Sequence, residues 1–518
     1  AGYTDLDDGI NIHGKAAFNS QLSNLINAFR TSVLIDVASD IYYRPMHSIS
    51  MILNYQLSGT NIGGYHAVNI LIHMLAIWAL HRFLLLLGMA RLHAFLLSLF
   101  MAVHPALVMA VSWIPGRMDS ILGLFSLLFL GQSVHYAQTG KPVSLALTGF
   151  YLLLAFFSKE STVFLLPAAF VLHTLGRGER WNSKRSLMHW GTWTVCFVVW
   201  LGMRSMAAVA PMNMSVGEIL KSMMSKTPAY IPYFGKAFLP IGLSVYPVPA
   251  DAVYIWGIAA TVLIGVLVYL GHSPHKRMVW AGLAMFGFMM VPLLLIPDYI
   301  GHQTFEYRLY VPMIGLLLIL PETVLFRNKL SVSAMATTGI GLCGLLAIQN
   351  VSHQAHFNNP YAFWSNAIEY SPHDSYVNMM MAAREPDSAV SRQYFERAFQ
   401  LNPRERYVNY IYATMLQEKG KIAESEPYLR KEQEITGYNK CNLLLARIAR
   451  QKEDFTSAIG YVDTYLKKEP ADTMAHLNLL LLYMESDKDS DAVRQANKMD
   501  SMHFEIPPII RSQIKYKR

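Results

Sequence analysis

Charge is scarce in this 518-residue chain: Asp, Glu, Lys and Arg make up 15% of it, well short of the roughly 25% usual in soluble domains. With 53% hydrophobic residues and a positive mean hydropathy, the composition excludes a wholly soluble architecture and points to a membrane protein with a soluble part attached. Cysteine is scarcer still. Cys196 and Cys343 sit in apolar blocks and Cys441 in a polar region, so no spacing suggests a disulfide framework or a metal site. The net charge of +8 does not amount to a nucleic-acid footprint, because the basic residues scatter over short loops and a helical tail rather than forming a patch. No nucleic-acid partner is expected.

What is present is a series of apolar blocks of about 20 residues, long enough to cross a hydrocarbon core ~30 Å thick, that stops near residue 350. Ten candidate spans cover 64–87, 92–112, 118–137, 143–157, 160–176, 189–209, 252–271, 278–297, 306–325 and 331–350. If they alternate, one set of loops collects Arg82, Arg91, Lys141, Arg177, Arg180, Lys184, Arg185, Lys276, Arg277, Arg327 and Lys329, which the positive-inside rule makes cytoplasmic.

The opposite loops hold the unusual polar residues: the N-terminal stretch, "WIPGRMD" (113–119), "SKE" (158–160), the loop 210–250, "DYIGHQTFEYR" (298–308), and everything after 350. Charges at helix ends are costly unless paired or facing a wet cavity, so their gathering on one face implies a polar site opening to the extracytoplasmic side. Each cation has an acid close by in sequence, Arg117 with Asp119, Lys159 with Glu160 and Arg308 with Glu306, and pairing within each turn is the expectation. The stretch 211–238, apolar at helical spacing with Lys221, Lys226 and Lys236, reads either as an interfacial amphipathic element or as an eleventh embedded helix.

From 355 onward a period of about 33 residues emerges, in "RYVNYIYATMLQEKGKIAESEPYLRKEQEI" (406–435) and "NKCNLLLARIARQKEDFTSAIGYVDTYLKKEP" (439–470). Each unit reads as two amphipathic helices and a turn. This resembles tetratricopeptide repeats, three to four of them, which stack into a solenoid suited to holding peptide segments. The division expected is a membrane domain over 1–350 and a repeat domain over 351–518.

Five ordered segments then carry a family resemblance: "YYRPMHSISMILNYQLSGTNIGGYHAVNILIH" (42–73), "VHPALVMAVSWIPGRMDSI" (103–121), "SKEST" (158–162), "LPIGLSVYPVP" (239–249) and "EYRLYVPMIGL" (306–316). They resemble the transmembrane O-mannosyltransferases with tetratricopeptide repeats and their bacterial relatives. The resemblance implies an all-α GT-C glycosyltransferase, a polytopic helical membrane domain followed by an extracytoplasmic α-solenoid. Such an enzyme takes a sugar from a polyprenyl (undecaprenyl or dolichyl) phosphate and hands it to Ser or Thr hydroxyls of proteins, with no cofactor expected. It also implies a transmembrane helix ahead of Ala1 and a first loop whose acidic motif is "LDDGINI" (6–12). Met118 and Ser120 depart from the small residue and Leu usual in the family turn. The short repeat array favours a bacterial member, an inner-membrane protein with periplasmic repeats and envelope partners, over an endoplasmic-reticulum one with lumenal repeats, and leaves the donor sugar open.

Within that frame the chemistry needs a base for the acceptor proton and cations for the leaving phosphate. Asp8 is the first choice as base, because Gly9 permits a turn that aims it inward, with Asp7 the alternative; Asp5 reads as solvated. For the phosphate the order is Arg308, Lys159, Arg44 and Arg117, since Arg forks match phosphate oxygens. Glu160, Glu306, Asp119, His104, Tyr43, His66 and Tyr310 are expected to line or orient the site. His66, Asn69 and His73 share a helix face, which reads as hydrogen-bonded packing rather than a metal site. Two other readings remain: the same donor chemistry with a glycan or lipid acceptor, and a scaffold without activity.

Overall fold

The computed structural model describes residues 2–4, 6–33, 41–207, 209, 215–272, 276–296, 302–327 and 331–516; Asp5 lies outside them. The chain is α-helical, and among the described residues no β-strand is formed. It divides into two units, Ala1–Pro372 and His373–Arg518. The boundary at 350 expected from hydropathy falls inside helix Val332–Gln354, and the next long helix, Pro360–Tyr370, belongs to the first unit.

In the first unit, Ile62–Leu86, Ile114–Thr139, Arg277–Leu295 and Val332–Phe357 are long and apolar enough to cross a membrane, and Arg91–Ala102 with Pro105–Ser112 makes a fifth if the pair is one span bent by 54°. The chain is thus a polytopic helical membrane protein. The bend falls at His104-Pro105, where proline removes a helical N–H donor. Helices form in the other apolar blocks too, but Pro142–Ser158 and Ile255–Leu270 are short. The block 306–325 is not one helix: it breaks into a 3-10 turn at Glu306–Leu309, an α-helix at Tyr310–Leu317 and a second 3-10 turn at Leu320–Glu322.

Sequence explains several of these limits. Asn61 caps Ile62–Leu86 by accepting from the Gly63 N–H at 2.9 Å, and Gly140, in the left-handed region at φ 68°, ends Arg117–Thr139. Large apolar side chains such as Leu71, Trp78, Val262, Tyr269, Leu345 and Ile348 are exposed on these helices, as a lipid-facing surface requires. Where helices meet, small residues allow close approach. A Cβ on Gly282 would lie 2.4 Å from the Gly315 carbonyl oxygen, and one on Gly123 would lie 2.4 Å from the Tyr310 ring.

The stretch 211–238, where described, is two helices, Val216–Lys226 and Tyr230–Phe238, the first opened by a capping box between Ser215 and Glu218. Ser222 Oγ donates to the Ile296 carbonyl at 2.7 Å, and the Lys226 ammonium also donates to it.

The second unit is a row of helix pairs whose first helices begin at Ser375, Val408, Cys441 and Thr473, 33, 33 and 32 residues apart. Buried Ala413, Ala446, Ala458, Ala475 and Ala496 sit where helices cross, and leucines fill the spaces between.

Candidate active site

In the first unit, residues from five separated stretches meet in one cavity of about 190 Å³. Asp7 comes from the N-terminal stretch, Tyr42 and Arg44 from the extended segment before helix Pro45–Ser58, and Trp113, Met118 and Asp119 from the turn into helix Arg117–Thr139. Lys159 and Ser161 come from the turn after Pro142–Ser158, and Tyr307 and Arg308 from the 3-10 turn. Leu122, Met289, Met290, Leu293, Val311 and Pro312 supply an apolar wall.

The charges are held in a fixed order. Lys159 Nζ donates to both oxygens of Asp119 at 2.8 Å. Arg44 Nε donates to Glu160 Oε2 at 2.9 Å, its guanidinium lies 4.1 Å from the Tyr42 ring centroid, and Arg204 Nη1 approaches the other Glu160 oxygen at 3.6 Å. Lys236 Nζ binds Glu306 Oε1 at 2.6 Å. The pairing expected within each turn is therefore corrected: Lys159 goes to Asp119, Glu160 to Arg44, and Glu306 to Lys236. Side chains one or two positions apart on a helical turn point to different sides, so partners come from other segments.

Arg308 stands apart. Its Nη1 donates to the Gln303 carbonyl at 3.0 Å, and it forms no ion pair with a carboxylate among the described residues. It lines the cavity, with its guanidinium 5.8 Å from the Tyr307 ring centroid.

The two adjacent acids separate cleanly. Asp8 is buried, 1% exposed. One of its oxygens accepts from the Thr4 N–H at 2.9 Å and the Thr4 hydroxyl at 2.6 Å, and the other from the Ile114 N–H at 3.3 Å. Burial pushes its carboxyl up to about 6 against these hydrogen bonds. Asp7 lines the cavity, and among the described residues its carboxylate accepts no hydrogen bond; only its backbone carbonyl is used, by Asn11. The protein mass around it raises its carboxyl above the ordinary value, with Lys15 opposing. The turn expected of Gly9 is not made: Gly9 sits in a right-handed helical conformation at φ −60° that any residue adopts.

Arg117 does not reach the cavity. It is fully buried and donates to Asn69 Oδ1 at 2.7 Å, Asn54 Oδ1 at 2.8 Å and the Tyr65 carbonyl at 3.1 Å, tying three helices together. Asn69 also donates to the Val111 carbonyl at 2.9 Å, and His73 bonds to the Tyr310 hydroxyl at 2.7 Å and the Ala102 carbonyl at 3.1 Å. Asn69, His73 and Tyr310 are thus parts of helix packing, and half-buried His66 is not on the cavity wall. Tyr43 points away, its hydroxyl donating to the Phe29 carbonyl at 3.0 Å and its N–H to Glu160. His104 is buried at the bend, its Nδ1 accepting from the Ala106 N–H at 3.3 Å. Glu306 accepts from Lys236 and from the Ser244 N–H at 3.0 Å, holding the 240–247 loop.

No family model matches the chain. It is 30% identical over 165 residues to Protein O-mannosyl-transferase Tmtc1 of Drosophila melanogaster, covering 32% of this chain and 19% of the fly protein. It is 30% identical over 171 residues to Protein O-mannosyl-transferase TMTC4 of Mus musculus, covering 28% of this chain and 23% of that protein. A shorter stretch of 113 residues is 36% identical to mouse Protein O-mannosyl-transferase TMTC2, over 22% of this chain and 14% of that protein. The chain resembles the protein O-mannosyl-transferases. Its matches span about a fifth of the length of these relatives.

With that likeness in place, the polar and aromatic cavity residues that the sequence reading did not single out are Tyr42, Trp113, Tyr307 and Ser161. A signal for one existed. In an extended segment, residues two apart share a side, so Arg44 in the cavity carries Tyr42 with it and sends Tyr43 the other way. Tyr307, Arg308 and Val311 face the cavity while Glu306 and Leu309 are buried behind.

Proposed function

We propose that this chain is a GT-C type membrane glycosyltransferase that moves a mannose-like monosaccharide from a polyprenyl phosphate to Ser or Thr hydroxyls of proteins on the extracytoplasmic face. The observation that carries this reading is the shared cavity of Asp7, whose carboxylate accepts no hydrogen bond among the described residues, and Arg308, which has no carboxylate partner among them. The names of the relatives, protein O-mannosyl-transferases, favour a protein acceptor over a glycan or lipid.

In this mechanism the acceptor oxygen attacks the anomeric carbon, its proton passes to Asp7, and the bond from that carbon to the phosphate oxygen breaks. The carbohydrate leaves with the acceptor and the prenyl phosphate departs with the electron pair. Arg308 meets the charge developing on that phosphate, while Arg44 and Lys159, oriented by Glu160 and Asp119, supply further positive potential in a site walled by apolar side chains. The raised Asp7 carboxyl is a stronger base than an ordinary one, which suits proton abstraction. The apolar wall receives the first isoprene units, and the repeat unit presents acceptor segments.

The test is transfer from dolichyl- or undecaprenyl-phosphate mannose to a Ser/Thr peptide by the full chain in nanodiscs, read as a hexose-sized mass increment. Asp7→Asn lowers the rate about 10²-fold or more, the scale of a lost general base, in protein that still folds. If Asp7→Asn keeps full activity while Asp8→Asn loses it, Asp7 is not the base.

A further inference from the structure

We propose that a second cleft in the first unit, separate from the sugar-transfer cavity, is the acceptor-peptide site and selects a Ser- or Thr-bearing segment flanked by a basic residue. This rests on the transferase reading above and names the substrate feature that such an enzyme would select.

The cleft has a volume of about 460 Å³. It shares a wall with the sugar-transfer cavity: Thr304 faces the cleft, and Tyr307 and Arg308, three and four residues on, face the cavity. That wall is braced from the cleft side. Tyr233, which lines the cleft, donates its hydroxyl to the Phe305 carbonyl at 2.8 Å. Lys236, also on the cleft, is fixed by Glu306 at 2.6 Å. The Thr304 N–H donates to the Pro247 carbonyl at 2.9 Å. An extended segment lying in this cleft would run past the wall that carries Arg308, with its hydroxyl-bearing residue next to the site of transfer.

The lining identifies the occupant by its chemistry. Tyr254, Trp256 and Tyr370 offer flat amphipathic faces of the kind that grip extended polypeptide at little entropic cost. Charged groups on the same walls make it a poor channel for a prenyl tail, because burying them against hydrocarbon leaves them desolvated. Glu369 gives the rim an acidic group: Lys236 spends its charge on buried Glu306, whereas Glu369, at the end of helix Pro360–Tyr370, is exposed on the lining. A Lys or Arg beside the acceptor hydroxyl complements that rim, and an acidic neighbour is repelled.

The experiment uses the full chain in nanodiscs and three labelled peptides that share one Ser and differ only in a Lys, Gln or Glu neighbour. Fluorescence anisotropy without donor reads the cleft directly, and KM with polyprenyl-phosphate mannose reads it in turnover. The wild-type protein binds the Lys peptide most tightly, about fivefold better than the Gln peptide, the size expected for one partly exposed charge contact. Glu369→Gln erases that preference, and Glu369→Lys reverses it toward the Glu peptide. Glu424→Gln, an exposed carboxylate in the repeat unit, leaves the ranking intact. Equal binding of the three peptides by the wild-type chain, or a ranking that survives Glu369→Lys, overturns the proposal. If the peptides bind in the stated order but no hexose is transferred, the cleft stands and the transferase reading falls.

Discussion

Asp7 and Asp8 are one position apart, and the difference in what surrounds them sets their chemistry. Asp7 carries a raised carboxyl that faces a cavity, so transfer should fail on acidification with an apparent pKa above the ordinary 3.8. A pH–rate profile of kcat/KM checks this; a limb at or below 3.8 would remove Asp7 from the step. Asp8 is a structural acid whose pH signature has a definite sign. Its folded value of about 6 exceeds the ordinary 3.8, so the native state holds this proton more tightly than the unfolded chain. That stabilisation is complete below about pH 4 and is lost as pH rises to about 6, on the order of 3 kcal/mol in all. Thermal unfolding in detergent should show this loss in the wild-type protein, and Asp8→Asn should flatten it.

Arg308 belongs to the same scale. Because no described carboxylate neutralises it, its removal takes away the proposed phosphate contact without stranding a described acid, unlike removal of Lys159, which would take from Asp119 its ion-pair partner. Arg308→Ala is expected to lower kcat/KM about 10²- to 10³-fold with the unfolding temperature nearly unchanged. Arg308→Lys should recover only part of it, since an ammonium cannot make the bidentate fork. Rescue to the full rate by Lys would mean that charge alone is needed.

At the scale of elements, the site depends on how closely helices approach. Gly123 in helix Arg117–Thr139 leaves room for the Tyr310 ring, whose hydroxyl bonds His73 of helix Ile62–Leu86. A Gly123→Ala methyl would fall 2.4 Å from the ring and push apart the segment that also carries Tyr307 and Arg308. The expected result is a loss of about 1–3 kcal/mol of stability together with slower transfer, measured by denaturation in detergent and by rate; an unchanged melting curve would show that the ring moves freely. In the broken run 306–325 the 3-10 turn Glu306–Leu309 leads directly into helix Tyr310–Leu317, and Tyr307, Arg308 and Val311 line the cavity together.

At the scale of the whole molecule, the two units have separate cores. Within His373–Arg518 the buried residues pack on their chain neighbours, as in the clusters around Ala458, Val462 and Leu479 or around Leu429 and Leu445. Residues 373–518 expressed alone should give a helical circular-dichroism spectrum and a cooperative melt; a featureless, non-cooperative melt would show that the repeats need the membrane unit. Ten apolar blocks, the 33-residue period, the family likeness and the acid-and-cation character of one set of loops were legible in the primary structure, because hydropathy and periodicity are local quantities. Pairing was not local. Which acid meets which cation, that Asp7 and not Asp8 faces the cavity, and that Arg117 binds helices together depend on segments far apart in sequence, from 40 residues between Lys159 and Asp119 to 116 between Arg44 and Glu160, arriving at one point. The sequence by itself determined the kinds of groups available and the apolar blocks that carry them. Only the tertiary structure decided which of them remain uncommitted, because burial and pairing satisfy most buried charges and leave reactive those that packing does not use.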